Sequence, residues 1–315
     1  MFVADLARRG ASRLLAVACV ALPICAGGAS APRAEENIQS GAQEGAQSAA
    51  AFYEIETKYI FGFTEGTSIG LEGEKEVSAE SIAGVGKRDG RYFAAQTKLE
   101  FEHTPSQFYQ FEAGALVMSH SIADVTGLDN RNALSFGGLF GELRYLLVER
   151  TQSSPFAVTV SAEPVWRRTD ETSGERVTNF ELETRLHVDT ELVENRLYLA
   201  FNAMHEPEWT RFGDGTIARE VTLGLSGALA YRPAPPLLIG AELWYLRHYD
   251  DFGLSNFTGD AVFLGPTLYL QLTRKSFMTA AWGAQIAGHQ VDGSGTLNLT
   301  DFARHRAKLK FAVEF

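Results

Sequence analysis

Cysteine is nearly missing from this chain of 315 residues: Cys19 and Cys25 are the only two, and both lie in the first 25 positions. Beyond them there can be no disulfide framework, thiolate metal site or cysteine nucleophile. Histidine is sparse, with seven in all. No two stand at a His-x-His or His-x3-His spacing, so a metal site would need assembly across loops, and neither metal nor cofactor is expected. Basic residues are outnumbered, 28 Lys and Arg against 39 Asp and Glu, for a formal net charge of −11. A phosphate-binding surface needs the opposite balance, so nucleic acid is not expected as a partner. After the first thirty residues there is no apolar run long enough to cross a bilayer as a helix.

The first residues read as a secretory signal. Arg8, Arg9 and Arg13 form a positive region, LLAVACVALPICA (14–26) an apolar one, and GGASA (27–31) supplies small residues. This predicts a signal peptide over 1–31, cleaved within 29–34. Neither cysteine sits in a lipoprotein box. Residues 32–51, with ENIQSGAQEGAQSAA (36–50), are polar and aperiodic and predict a flexible linker.

From residue 52 to 315 the period is two. Tyr53, Ile55, Thr57, Tyr59, Phe61 and Phe63 alternate with Glu54, Glu56 and Lys58; Phe93, Ala95, Thr97, Leu99 and Phe101 alternate with Gln96, Lys98, Glu100 and Glu102. Successive strand side chains face opposite ways, so each such segment has one apolar and one polar face. Short connections such as TPSQ (104–107) and RKS (274–276) alternate with long ones such as IADVTGLDNRN (122–132) and QVDGSGTLNLTD (290–301). That layout predicts an all-β, antiparallel up-and-down transmembrane barrel, with periplasmic turns on one side and extracellular loops on the other. An even strand number follows if 64–90 is one long first extracellular loop after a strand at 53–63. The expectation is twelve strands, with fourteen as the alternative. A soluble sandwich would alternate too, but gives no reason for a signal peptide and alternating loop lengths together.

The last residues, RHRAKLKFAVEF (304–315), place Leu309, Phe311, Val313 and Phe315 on one parity. They resemble the terminal assembly signal of bacterial outer-membrane β-barrel proteins. That resemblance implies recognition by the barrel-assembly machinery, a surround of outer-membrane lipid and residence in the bacterial outer membrane. More loosely, residues 52–315 resemble, in layout, the twelve-stranded group of meta-pathway phenol-degradation proteins, thought to be transporters. The stretches TKYIFGFTEGTSIG (57–70) and GPTLYLQLTRK (265–275) carry the likeness.

The inward parity holds most of the charge. It predicts a lumen lined by Arg304, Arg306, Lys308 and Lys310 on the last strand, facing Glu54, Glu56 and Lys58 on the first. Lys98, Glu100, Glu102, Glu181, Glu183 and Arg185 add to it. These ladders either neutralise one another at the closing seam or form a selectivity lining. Catalysis on a barrel would need a Ser–His pair at the rim. His120 and Ser121 are adjacent, so they point to opposite faces, and no enzyme is expected. The function expected is a channel or transporter for small solutes, aromatic or other organic compounds among them. A non-conducting structural or surface-binding barrel is the alternative, and a rim lipid hydrolase the weakest reading.

Overall fold

A computed structural model describes residues 55–315 apart from 152, 292 and 294. The signal peptide, the linker and Glu54 lie outside the described residues. Twelve strands follow one another: β1 (Lys75–Val85), β2 (Arg91–Ser106), β3 (Tyr109–Ala123), β4 (Arg131–Val148), β5 (Phe156–Thr169) and β6 (Arg176–Val193). The ring continues with β7 (Leu197–Arg211), β8 (Ile217–Ala234), β9 (Leu237–Tyr249), β10 (Phe257–Thr273), β11 (Ser276–Gln290) and β12 (His305–Glu314). Each pairs antiparallel with its neighbour in sequence, and β1 closes on β12, so the sheet is a closed barrel. Closure leaves no unpaired edge, the condition for a sheet to sit in hydrocarbon.

The two faces separate as the alternation requires. Leu99, Phe101, Leu139, Phe201, Leu243, Leu264, Leu309 and Phe311 are all exposed on the outside, part of an apolar surface that runs around the barrel. A water-soluble monomer rarely shows so large an apolar patch. The inner face is polar: Glu76, Glu80, Glu100, Glu102, Gln110, Glu112, Arg144, Glu242, Lys308 and Lys310 are buried there. Connections between strands gather at two ends. The turns at 107–108, 194–196, 235–236 and 274–275 mark a short-turn end, while 86–90, 124–130, 250–256 and 291–304 belong to the long-loop end.

The strand count is the expected twelve, but the first strand is not where alternation put it. Among the described residues, 55–63 do not pair with β12, and 64–90 is not one loop. Instead, Lys75–Val85, inside the supposed loop, is the strand that closes the barrel. Its outward residues Val77, Ala79, Ser81, Ala83 and Val85 are small, which hid its apolar face. Residues 55–70 run inside the lumen, with a 3-10 turn at Thr57–Tyr59, and residues 71–73 are exposed on the way to β1. The alternation of 53–63 is real but has another cause. An inserted segment is buried on both sides, and here its aromatic side chains and Lys58 meet different walls.

Because Leu309 faces outward in mid-strand, Leu309→Arg should destabilise the barrel in lipid by about 2–4 kcal/mol. An arginine at lumen-facing Ser226 should cost clearly less. Equal losses in unfolding titrations from vesicles would contradict the assignment of faces.

Candidate functional site

Five glutamates stand side by side on the inner wall near the short-turn end. The register places Glu314 of β12 against Glu76 of β1, Glu76 against Glu102 of β2, Glu102 against Glu112 of β3, and Glu112 against Glu142 of β4. Like charges directly opposite in a ladder repel, and burial strengthens the repulsion. Cations offset it. Lys310 lies 3.8 Å from Glu76 and 2.7 Å from Glu100, and Arg144 lies 3.6 Å from Glu142. The cation at the centre of the row is Lys58, which does not belong to the wall at all.

Lys58 is carried in by the luminal segment. Its Nζ donates to Glu102 at 2.8 Å, to Gln110 at 2.6 Å and to Glu112. The next residue, Tyr59, donates its hydroxyl to Glu102. Burial would push the Lys58 ammonium down, but Glu102 and Glu112 outweigh it and hold its pKa above the usual lysine value. On the opposite side the segment is apolar. Tyr59, Ile60 and Phe61 pack against Tyr198, Leu238, Tyr269 and Phe277 of β7, β9, β10 and β11, with Tyr59 stacked on Phe277 at 5.0 Å. The barrel thus presents a carboxylate wall and an aromatic wall, and residues 58–61 fit between them.

Further up, the chain turns over and comes back, with backbone groups held by side chains of the wall. The N–H groups of Phe63 and Thr64 donate to the Glu242 carboxylate at 2.8 and 2.9 Å, and that of Thr67 to Asp189 at 2.8 Å. Asn202 accepts from the Glu65 N–H and donates to its carbonyl, both at 2.8 Å. Arg144 donates to the Gly66 carbonyl at 2.8 Å, Thr159 to that of Thr67 and Thr279 to that of Tyr59, each at 2.7 Å. A segment without regular structure of its own can be buried only if such partners satisfy its backbone. The Glu65 carboxylate points between Arg144 at 2.6 Å and Arg185 at 3.3 Å. Burial raises its pKa, but these guanidiniums outweigh that and hold it well below the usual carboxylate range. Two glycines permit the close approach: a Cβ on Gly62 would lie 2.1 Å from Glu242 Oε1, and one on Gly66 2.3 Å from the Thr57 carbonyl oxygen.

Above this plug lies a cavity of about 330 Å³. Phe63 and Glu65 of the plug line its floor, and Glu171, Thr172, Asp301 and Phe302 of the loops reach it from the long-loop end. There Lys87 donates to the carbonyls of Thr300 and Asp301 at 2.7 and 3.1 Å, which ties two loops together. Burial pushes this ammonium down to about 8, against the opposing pull of Asp301.

The residues expected to line the lumen fall into several groups. Arg306, Lys308, Lys98, Glu181, Glu183 and Arg185 line the cavity, while Glu100, Glu102 and Lys310 are buried lower on the wall. Glu56 and Lys58 are on the plug, not on a strand. Arg304 precedes β12 and its side chain is exposed. The seam is neutralised by other glutamates than expected: Lys308 pairs with Glu80 at 2.9 Å and Lys310 with Glu76. Leu309, Phe311 and Phe315 are exposed and Val313 half-buried. Residues 64–90 are long enough to enter the lumen, but alternation gives no sign that 55–63 enter with them, nor of the carboxylate row or of Arg144, Glu242, Asn202 and Asp189 as their partners. Each is an isolated polar residue until the register brings it to the plug.

Catalytic and metal-like groupings do occur. Ser161 and His187 share a hydrogen bond of 3.1 Å, and His187 Nδ1 lies 3.9 Å from Glu65. The outer pair is too long for a hydrogen bond, Glu65 is held by two arginines, and His187 is fully buried. That geometry does not orient a general base. Glu65, Glu142 and His187 could also converge on a cation, but the Arg144 guanidinium already sits between the two carboxylates. A second group, Glu220, His248 and Asp250, lies at the long-loop rim.

The plug's docking can be tested without touching the wall. Gly62→Val should expel the segment from Glu242. Trypsin should then cut folded barrels after Lys58, a bond protected in the parent chain, where Lys58 is 3% exposed. Continued protection would contradict the tight fit at Gly62.

No curated protein matches the chain. Among solved structures, it is similar to the COG4313 outer membrane channel from Pseudomonas putida F1, at 11% identity over 79% of this chain and 98% of that one, with a TM-score of 0.52. The KdgM porin in complex with disordered oligogalacturonate shares 11% identity over 77% and 99% of the two chains, at a TM-score of 0.45. A TodX monoaromatic hydrocarbon channel shares 9% over 84% and 98%, at 0.41. The first likeness is one of fold: a closed outer-membrane barrel. Residues 53–315 match a family described as a family of unknown function, DUF6662, and the chain belongs to that family.

Proposed function

We propose that this protein is a channel of the bacterial outer membrane for small solutes, and that residues 55–70 are its closure. The observation that carries the reading is the lumen itself: a polar cavity open to solute-sized molecules, stopped below by a segment that is not part of the wall. The apolar belt then meets lipid, the short turns face the periplasm and the long loops the outside. Leu309, Phe311 and Val313 of β12 and Phe315 just after it are the residues that the barrel-assembly machinery would read. Phe63, Trp244 and Phe302 give the cavity an aromatic side, which suits solutes with an apolar or aromatic body.

Passage requires the plug to move, and its anchoring is ionic, so pH should move it. The Glu65 pKa is lower when docked than its ordinary 4.5. Its contribution to docking is therefore fully present above pH 4.5 and lost as pH falls through the docked value. For Lys58 the docked pKa is raised, so its contribution is present below 10.5 and lost only as pH rises through the docked value. Between these limits the plug is held from both sides.

A second reading, a non-conducting barrel, draws on the plug's backbone being so fully hydrogen-bonded to the wall. Planar-bilayer recording separates the two. The parent chain should conduct little at pH 7, conduct more as pH falls well below 4.5, and gain a large steady conductance when residues 55–72 are deleted. With Lys58 gone, the five glutamates line the exit, so the deleted form should select cations over anions under a salt gradient. Absence of current in both forms would establish the non-conducting barrel in place of the channel.

A further inference from the structure

The cavity above the plug carries an unbalanced pair of charges. Nine carboxyl and six basic side chains line it. Most are matched: Lys98 to Glu163 at 2.6 Å, Arg167 to Glu181 and to Glu171, Arg185 to Glu183, Lys308 to Glu80. Glu65 and Glu142 share Arg144, Asp301 accepts from Asn298 at 2.7 Å, and Lys87 donates to loop carbonyls. Among the described residues two lining groups make no hydrogen bond or ion pair, Arg306 and Glu206. Arg306 lies over the face of Phe63, with its guanidinium 5.3 Å from the ring centre, and otherwise feels Glu171 and Glu206 only through space.

These two groups stand on well-separated walls, β12 and β7, five places apart in a ring of twelve. Between them the cavity has an apolar side made by Trp244, Met204, Leu246 and Phe302, which pack with Phe63 in one cluster. Charged groups in a closed site are costly unless paired, so Arg306 is open to an anionic group, while Glu206, crowded by Glu171, Glu181, Glu183 and Glu208, marks a side of the cavity that favours a cation. A simple anion could satisfy Arg306 but would enter a lining with three more acids than bases. A simple cation could satisfy Glu206 but would meet Arg306 unpaired. A molecule bearing both charges satisfies both and adds no net charge, while an apolar body between them covers the aromatic side.

We propose that the cavity binds small zwitterions whose carboxylate and ammonium are separated by an apolar or aromatic body, the carboxylate on Arg306 and the ammonium on Glu206. The proposal rests on the channel reading for the solute's onward path but not for binding itself.

Calorimetric titration of the folded full chain at pH 7 and low salt tests it with three probes of one shape: 4-(aminomethyl)benzoate, 4-methylbenzoate and 4-methylbenzylamine. The zwitterion should bind in one-to-one ratio, and each singly charged analogue at least about tenfold more weakly, the loss typical of a missing charge-assisted hydrogen bond. Arg306→Gln and Glu206→Gln should each weaken the zwitterion about tenfold, yet leave the heat-modifiable folded form intact, since neither residue braces the barrel. No binding of the zwitterion, equal binding of either analogue, or parent-like binding by both variants would overturn the proposal. Binding without conductance would instead remove the channel reading and leave this one standing; conductance without binding would do the reverse.

Discussion

A row of five glutamates on five neighbouring strands is the constraint on which the rest of this structure depends. A barrel cannot hold Glu314, Glu76, Glu102, Glu112 and Glu142 shoulder to shoulder, the middle three of them buried, unless cations or water come to them. The wall supplies Lys310 and Arg144 at the flanks. The centre is left to Lys58, which arrives on a segment folded into the lumen. The lumen's closure thus follows from wall electrostatics, and the segment's other contacts make the fit specific. Tyr59, Ile60 and Phe61 find the aromatic wall, and Glu65 finds Arg144 and Arg185.

That arrangement divides the molecule by task. The outer face is uniform and apolar, and its residues can vary in kind as long as they stay apolar. The short-turn half of the lumen is a packed, ionic and aromatic core. The long-loop half is open, with its charges mostly matched across strands. There, among the described residues, Arg306 and Glu206 make no hydrogen bond or ion pair, and there lies the cavity of about 330 Å³. A path through the barrel therefore has one receptive chamber and one closure, and the same residue, Glu65, belongs to both: it lines the floor of the chamber and anchors the plug.

The barrel was legible in the sequence because the period of two is a direct image of two faces in different solvents. Leu309 against Lys308, and Phe101 against Glu102, are outward and inward by parity alone. The first strand was not legible for the same reason. Residues 53–63 alternate as a strand does, but Lys58 answers to carboxylates and Tyr59 and Phe61 to aromatic rings, both inside the barrel. The true β1 carries Val77, Ala79, Ser81 and Ala83 outward, a face too small to stand out. The carboxylate row needs register across five strands, which no single segment encodes. Glu242 and Asn202 offer no pattern at all until the plug's backbone is beside them.

The central claim is that the plug is a separate, ionically anchored unit: when it leaves, water takes its place on the glutamates and the strand ladder of the barrel persists. Hydrogen exchange on the folded protein, comparing the parent chain with Lys58→Met, measures this directly. In the parent, the amides of Phe63, Thr64, Glu65 and Thr67 should be protected by their wall partners. In the variant those four should exchange together and fast, while β2 and β3 keep their protection. Unchanged protection of the four amides, or their loss only together with the strands, would contradict it.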